Sequence, residues 1–237
     1  MTTATVFDAK TFWTEMDTRI AKHDLLCHPF YQAWSAGELA QDDLRDYATQ
    51  YFHHVAAFPV YLSVLHSRLE DGELRRVVLR NLCDEEIDGR AHSELWLDFA
   101  EGMGAARKEV RQSIPLSEVS GLVRHFKEVA STGSVAAALA AMYAYESQVP
   151  RVAIAKAKGL HELYGADAKT CGYFKLHQTA DVHHSQVWRE QIESVLGNDP
   201  AAAQESLEAA EEAASALWKA LDGIERERLA KRTVAVA

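Results

Sequence analysis

Cysteine, proline and glycine are scarce in this 237-residue chain, and each shortage excludes a class of structure. Cys27, Cys83 and Cys171 are odd in number, far apart and outside any CxxC spacing, which argues against a disulfide framework and against a thiolate zinc site. Five prolines and 12 glycines are too few for many tight turns, so long helices are favoured. We therefore expect an all-α protein.

An excess of basic residues and a long apolar run are also missing. The formal net charge is −10, and a nucleic-acid partner would need clustered Lys and Arg for its phosphates. No run of about 18 apolar residues occurs, and the N-terminus MTTATVFDAKTFW lacks the basic and apolar regions of a signal peptide. These features predict a cytoplasmic protein that binds neither membranes nor nucleic acids.

The hydrophobic periodicity predicts one helical domain over residues 1–237, a bundle of seven or eight helices. Its core is expected at residues 8–231, with a flexible tail over residues 232–237. One continuous helical pattern runs from residue 73 to about residue 101, and Gly89 inside it indicates a close approach or a local bend. His53 and His54 lie in an earlier helix and are expected to have structural or surface roles.

A helix predicted over residues 135–148, VAAALAAMYAYESQ, is apolar on every side except for one carboxylate. Between Glu128 and Arg151, Glu146 is the only Asp, Glu, Lys or Arg. A helix that is apolar all round is a central helix, and a buried carboxylate is costly unless it is paired or bound to a cation. Glu146 therefore predicts a partner.

The stretch YFKLHQTADVHHSQVW, residues 173–188, places metal-ligand residue types on one helical face. If it is helical, His177, Asp181 and His184 form one stripe because they are four and three residues apart, whereas His183 points elsewhere. A polar, solvated helix face produces the same spacing by chance. The stripe alone therefore leaves both interpretations open.

Glu85 and His92 are seven residues apart, so they share one face of the helix predicted over residues 73 to about 101. Asp88 is close enough to support them or to replace one of them. Glu85 and His92, together with Glu146 and the three residues of the stripe, could provide six ligands from three helices, enough for a two-metal site. Mixed histidine and carboxylate ligands without thiolate favour iron or manganese over structural zinc, and Fe/Fe and Mn/Fe use the same ligand types.

Four segments, HPFYQAWSAGEL, NLCDEEIDGRAHSELW, MYAYESQVP and YFKLHQTADVHHSQVW, resemble the CADD-like family in their order and spacing. This family is named for the chlamydial protein associating with death domains, and the resemblance covers roughly residues 29–196. It implies a haem-oxygenase-like (TENA/THI-4-like) helical architecture and a dinuclear metal site. The family's metal ligands correspond to Glu85, His92, Glu146, His177, Asp181 and His184.

The resemblance also implies a reaction. Members of the family make p-aminobenzoate for folate synthesis by oxidatively cleaving one of their own tyrosines, with an internal lysine as the proposed amino donor. The matching motifs assign these roles to Tyr31 and Lys156, and Tyr145 and Tyr173 match further tyrosines of the family site. Two metal ions, O₂ and an external reductant would be required.

Other functions compete with this interpretation. The strongest enzymatic alternative is a diiron oxidase of the same fold acting on an external small molecule. A non-catalytic death-domain-type interaction module would leave Glu146 unexplained. Thiaminase-type relatives need a nucleophilic cysteine that cannot be matched here, and the quinone-forming relatives do not need this ligand set. Apolar residues on the surfaces of long helices are compatible with a homodimer.

Overall fold

Helices make up all the regular structure in the computed structural model, which describes residues 8–236 and contains no strand within that range. This confirms the all-α class. The described helices are α1 (Ala9–Ala21), a 3-10 turn (Leu25–Cys27), α2 (Pro29–Ala36), α3 (Gln41–Arg68), α4 (Glu73–Glu86), α5 (His92–Gly102), α6 (Arg107–Gln112), α7 (Ser117–Thr132), α8 (Val135–Glu146), α9 (Val149–Glu162), α10 (Gly172–His177), α11 (Ala180–Leu196) and α12 (Pro200–Val236).

The prediction of a single helix from residue 73 to about residue 101 is wrong. The chain leaves α4 after Glu86 and enters α5 at His92. Gly89 lies between the two helices and has φ +91°. Residues other than glycine rarely adopt this backbone conformation. A Cβ added at Gly89 would meet no atom within 4 Å, so this glycine marks the bend and not a close approach.

The stretch 173–188 is also broken, contrary to the prediction of one continuous stripe. Helix α10 ends at His177 and α11 begins at Ala180. No glycine or proline lies within the stretch, so local composition does not indicate the break. These two interruptions and the short helices explain why more than seven or eight helices are present.

Helix α8 lies at the centre of the bundle, where it packs against α12, α11 and α7. Every residue from position 136 to Glu146 is buried, which confirms the prediction of a central helix. Its many alanines let the neighbouring helices approach closely. Glu146, the last residue of α8, is only 1% exposed.

The remaining helices enclose this centre. Helix α3 packs against α4, α5 and α7 and includes Pro59 within its length. Helix α12 extends to Val236, beyond the predicted end of the core at residue 231. All three cysteines are free, and no helix of the described residues is long and apolar enough to cross a membrane. The assignment of residues 1–237 to one domain stays a prediction.

Candidate active site

The six predicted ligand residues are all buried, and they form two groups of three. The first ligand group consists of Glu85, His92 and His177, and the second consists of Glu146, Asp181 and His184. Within each group, one potential ligand atom per residue lies within 4.8 Å of the others. The structure thus divides the stripe predicted over residues 173–188 between two neighbouring sites.

Helix ends bring the first ligand group together. Glu85 lies in the last turn of α4, His92 is the first residue of α5, and His177 is the last residue of α10. The rings of His92 and His177 meet edge to face with their centroids 4.6 Å apart. The bend at Gly89, which the continuous-helix prediction did not include, therefore lies between two ligands of one group.

Helix ends also bring the second ligand group together. Glu146 closes α8, while Asp181 and His184 occupy the first turns of α11. His184 Nδ1 lies 3.5 Å from Asp181 Oδ1 and 3.8 Å from Glu146 Oε1. His183 is exposed and lies outside both groups.

Several polar atoms of the two ligand groups have no hydrogen-bond partner, and this shows whether the groups fit metal ions. His92 Nδ1, His184 Nδ1 and Asp181 Oδ2 are buried and have no hydrogen-bond partner. His92 Nδ1 approaches Glu85 Oε2 to 2.9 Å, yet the pair lacks hydrogen-bond geometry. Buried polar atoms normally have partners, and histidine nitrogens and carboxylate oxygens suit iron or manganese. The donor set fits two such ions.

The charges of the second ligand group support the same conclusion. Burial raises the pKa of Glu146 well above its usual range, although His184 partly opposes this shift. Burial lowers the pKa of His184, but the nearby carboxylates of Asp181, Glu146 and Asp84 outweigh it and leave this pKa raised. Protons are therefore held where a cation would bind, and a metal ion must displace them.

Three further residues support the ligands, and sequence analysis missed all of them. Asn81 Nδ2 donates to Glu146 Oε1 at 3.1 Å, and Trp188 Nε1 donates to Glu146 Oε2. Asp84 Oδ2 lies 2.9 Å from His184 Nε2, which leaves Nδ1 for the metal side. Spacing offered a signal for two of them, since Asn81 precedes Glu85 by four residues and Trp188 follows His184 by four.

Asp88 does not have the supporting role that its spacing predicted. Its side chain is exposed and belongs to neither ligand group. The reason is the end of α4 at Glu86, which removes Asp88 from the helical face that carries Glu85. Asp84 instead reaches the centre, through its contact with a histidine of α11.

Tyr31 and Lys156, which are 125 residues apart in the chain, meet in a second buried region, the tyrosine–lysine pocket. Lys156 Nζ donates to the Tyr31 hydroxyl at 2.7 Å and also donates to the Tyr47 hydroxyl. The hydroxyls of Tyr31 and Tyr47 lie 2.9 Å apart. Lys156 is 4% exposed, whereas the side chain of Lys158 is 70% exposed, so only one lysine of AKAK faces inward.

Aromatic rings surround the Lys156 amine. Its Nζ lies 4.1 Å from the centroid of the Tyr31 ring and 4.5 Å from that of Tyr47. The rings of Trp34, Tyr51 and Phe174 complete the cage at 5.4 to 5.6 Å. Such rings favour a cation by about 1–2 kcal/mol. Burial acts in the opposite direction and lowers the pKa of Lys156 well below its usual value.

The two phenols of the pocket are neutral for the same physical reason. Burial raises the pKa of Tyr31 and of Tyr47 above the usual value for tyrosine. The amine and the two phenols satisfy one another by hydrogen bonding, and no carboxylate pairs with Lys156 in the described part of the chain. Sequence analysis missed Tyr47 because it is one of the regularly spaced apolar positions along α3.

A cavity of about 20 Å³ lies beside Tyr31 and Lys156. Tyr31, Lys156, Tyr145 and Tyr173 all line it, so the structure brings the four predicted catalytic residues together. The ring of Tyr173 stacks on that of His177 at 4.0 Å, which places one cavity wall against the first ligand group. The cavity has room for about one molecule of the size of water.

A much larger groove, with a volume of about 780 Å³, reaches the second ligand group from outside. It runs between α4 and α11, where Asn81, Asp84, His184 and Trp188 form part of its lining. The side chain of Asp84 is 43% exposed in this groove. The centre is thus approached on two sides, from a small aromatic cavity and from an open polar groove.

Comparison with known proteins places this architecture in a family. A family model described as iron-containing redox enzyme matches residues 45–218. A protein named 4-aminobenzoate synthase from Nitrosomonas europaea is 41% identical over 224 residues, 90% of this chain and 91% of the relative. A Chlamydia pneumoniae protein of the same name is 36% identical over 212 residues, 89% of this chain and 94% of the relative.

Solved structures show the same fold. A domain from Shewanella denitrificans with a haem-oxygenase-like fold matches with a TM-score of 0.81, covering 96% of each chain at 16% identity. At this identity the match supports the haem-oxygenase-like architecture alone.

Proposed function

Because the chain belongs to the iron-containing redox enzymes, we propose that it is an O₂-dependent dinuclear-metal oxidase that makes 4-aminobenzoate (p-aminobenzoate) from its own side chains. Tyr31 is the aromatic precursor and Lys156 is the amino donor. The names of the Nitrosomonas europaea and Chlamydia pneumoniae relatives support the product. The proposal includes a cytoplasmic setting, an external reductant and supply of the product to folate synthesis.

One observation carries the proposal: the Lys156 amine lies 2.7 Å from the Tyr31 hydroxyl within a buried cage of aromatic rings. In tyrosine the hydroxyl is para to Cβ, and in p-aminobenzoate the amino group is para to the carboxyl carbon. An amine held at the hydroxyl end is therefore next to the ring position that the product's nitrogen occupies. By the same relation, Cβ corresponds to the carboxyl carbon.

The size of the cavity favours a side chain over an external aromatic compound. An apolar cavity that admits benzene has a volume of about 150 Å³. The space beside Tyr31 and Lys156 is about 20 Å³, far below that size. The aromatic ring available to react in this pocket is therefore one that the protein already contains.

In this proposal the oxidation depends on the two ligand groups. They would hold two ions, Fe/Fe or Mn/Fe, which when bound would use O₂ as the oxidant, with the external reductant supplying the electrons needed to activate it. Tyr173 and Tyr145 line the cavity between the centre and Tyr31, and their burial raises the pKa of both phenols. They keep that space uncharged.

The state of Lys156 suits an amino donor. An ammonium group has no lone pair, whereas burial lowers the pKa of Lys156 and favours the free amine. Its hydrogen bonds to Tyr31 and Tyr47 orient that amine toward the phenol oxygen. Burial therefore shifts Lys156 toward the form that can act as a nucleophile.

Replacing Tyr31 and Tyr47 separately by Phe tests the assignment. Each change removes one hydroxyl that accepts from Lys156, so the two variants are matched in lost hydrogen bonding. We expect Tyr31→Phe to abolish p-aminobenzoate formation in metal-loaded, aerobic protein, and Tyr47→Phe to retain part of it. Undiminished formation by Tyr31→Phe would remove the self-sacrifice step from the proposal.

The groove between α4 and α11 supports a second candidate, an oxidase acting on an external small molecule. Its volume of about 780 Å³ would admit a substrate, and it adjoins His184. This candidate predicts that an added compound supplies the oxidised carbon skeleton and that Tyr31 survives many turnovers. Isotope labelling of protein tyrosine separates the two, because only the self-sacrificing reaction transfers that label to the product.

A further inference from the structure

The contacts of Tyr31 point to a second property of its pocket. We propose that the space around Tyr31 is a preformed binding site for a small neutral phenol, so that a chain which lacks this side chain but keeps the Lys156 amine binds a free phenol in its place. The proposed function consumes that amine together with the Tyr31 ring, so the site belongs to unreacted protein in which Tyr31 is replaced. The recognition rests only on the contacts in the pocket.

Two polar groups converge on the hydroxyl position. Lys156 Nζ lies 2.7 Å from the Tyr31 oxygen, and the Tyr47 oxygen lies 2.9 Å from it. Between them these groups can donate to and accept from one hydroxyl. A free phenol placed at the Tyr31 ring position would make the same hydrogen bonds without a covalent tether.

These groups stay in place when the Tyr31 side chain is removed, because other contacts hold them. Lys156 also donates to Tyr47, and its amine lies 5.4 Å from the ring centroids of Trp34 and Phe174. The Tyr47 ring stacks on Phe30, with centroids 5.2 Å apart, and Tyr47 is fully buried. The recognition elements are therefore preorganised, which lowers the entropic cost of binding.

The rest of the pocket is apolar and closed. Leu25, Val149, Val152 and Ala153 line it opposite the tyrosines, and each is at most 7% exposed. Removing the Tyr31 ring adds its volume to the existing cavity of about 20 Å³. An apolar cavity of about 150 Å³ is known to bind benzene, so a single aromatic ring is the size of ligand expected here.

The lack of a carboxylate in the pocket sets the class of ligand. Lys156 has no anionic partner in the described part of the chain, and burial favours its neutral amine. A charged aromatic acid would have to bury its carboxylate against the apolar walls, which is costly. Neutral phenols are therefore expected to bind more tightly than aromatic acids.

Full-length Tyr31→Ala protein, prepared without metal, provides the direct test. This variant keeps Cβ, so phenol replaces the removed atoms, and toluene is the matched probe with methyl in place of hydroxyl. We expect phenol to bind at least about tenfold more tightly than toluene in calorimetry and to raise the melting temperature, since two hydrogen bonds discriminate between them. Wild-type and Tyr31→Phe proteins should bind neither probe.

Two variants show whether the preference comes from the hydroxyl contacts. Phe30→Ala opens a cavity of similar size at the adjacent residue, which is also fully buried, but its ring has no polar group to satisfy. It should not prefer phenol over toluene. Adding Lys156→Met to Tyr31→Ala should reduce the phenol preference severalfold, because one of the two polar groups is lost.

The outcomes are decisive in each case. A folded Tyr31→Ala protein that binds no phenol, or binds toluene equally well, overturns the proposal. If this variant does not fold alone, helix content recovered with phenol but not with toluene supports the proposal, and no recovery with either overturns it. Because neither metal nor O₂ is present, failure of binding leaves the proposed synthase function intact, and survival of Tyr31 during turnover leaves the binding result intact.

Discussion

Two adjoining buried regions, the pair of ligand groups and the tyrosine–lysine pocket, differ in how their polar atoms are satisfied. The two ligand groups contain three carboxylates and several buried atoms without partners. In the pocket, by contrast, the Lys156 amine and the hydroxyls of Tyr31 and Tyr47 satisfy one another. The difference indicates that the centre is completed by cations from outside, whereas the pocket is complete as folded.

The largest effect is expected from Glu146→Gln, which tests whether the centre needs cations. The amide keeps the shape of the side chain but removes the charge of a residue that is 1% exposed. We expect metal content to fall from two ions per chain to about one and p-aminobenzoate formation to be lost, since metal affinity depends on charged ligands. Metal analysis of the purified protein measures this.

Glu86→Gln is the matched control for that change. Glu86 is exposed and belongs to neither ligand group, so this variant should keep both ions. Retention of two tightly bound ions by Glu146→Gln would show that the second ligand group does not bind metal through this carboxylate.

Asp84→Leu tests whether the contact between Asp84 and His184 strengthens metal binding. Asp84 holds His184 Nε2 at 2.9 Å, and such outer partners are typically worth about 10–100-fold in metal affinity. We expect a loss of this size for one of the two ions, measured by competition with a chelator. Asp88→Leu removes an equal charge from the same groove and should leave both affinities unchanged. Equal behaviour of the two variants would contradict the role of Asp84.

Lys156→Met tests whether the pocket amine is neutral. Burial lowers the pKa of Lys156 in the folded state, so the unfolded chain binds one more proton between that lowered pKa and about pH 10.4. Unfolding free energy should therefore rise with pH toward that value, by at most about 1.4 kcal/mol per pH unit from this group. Urea unfolding of metal-free protein between pH 7 and about pH 9.5 measures the slope, and the Met variant should lack this contribution. Parallel slopes would mean that Lys156 is charged in the fold.

A smaller effect is expected from His54→Phe, behind the pocket. His54 is fully buried among aromatic rings, 4.8 Å from the Tyr145 ring centroid, and burial lowers its pKa to about 3. Because the unfolded histidine titrates near pH 6.5, stability is lost as the pH falls from 6.5 toward 3, about 2 kcal/mol at pH 5. The Phe variant should lose less stability on acidification.

His53→Phe provides the comparison for that experiment. His53 is only half-buried and its Nε2 contacts Ser113 Oγ at 2.8 Å. Burial lowers its pKa as well, but no large shift is expected for a side chain that keeps contact with solvent. Equal acid sensitivity of the His53→Phe and His54→Phe proteins would contradict a buried neutral His54.

The six candidate ligand residues that the sequence indicated lie in two buried groups, although the local structure predicted for them was wrong. Spacing on continuous helices put His177 with Asp181 and His184, whereas the break after His177 moves it to the first ligand group. Glycine indicates the bend at Gly89, but nothing in the composition indicates the break after His177. Residue type, spacing and family resemblance indicated the candidate ligands, and only the fold could assign each of them to its group.

The pocket was less predictable, because its contacts are long-range. Tyr31 and Lys156 are 125 residues apart, and only resemblance to a known family associated them. Tyr47 and Tyr51 follow the apolar spacing of α3, which gives no indication that their rings surround an amine. Helical periodicity identifies which face is buried, but it does not identify the partner of a buried polar atom.

The most direct test of the central claim uses protein whose tyrosines carry a ring ¹³C label. Metal-loaded protein is incubated with O₂ and a reductant, and mass spectrometry follows the small-molecule fraction and the peptide containing Tyr31. The account predicts labelled p-aminobenzoate, at most one molecule per chain, with matching loss of the intact Tyr31 peptide. Unlabelled product, or labelled product with the Tyr31 peptide intact, would contradict it.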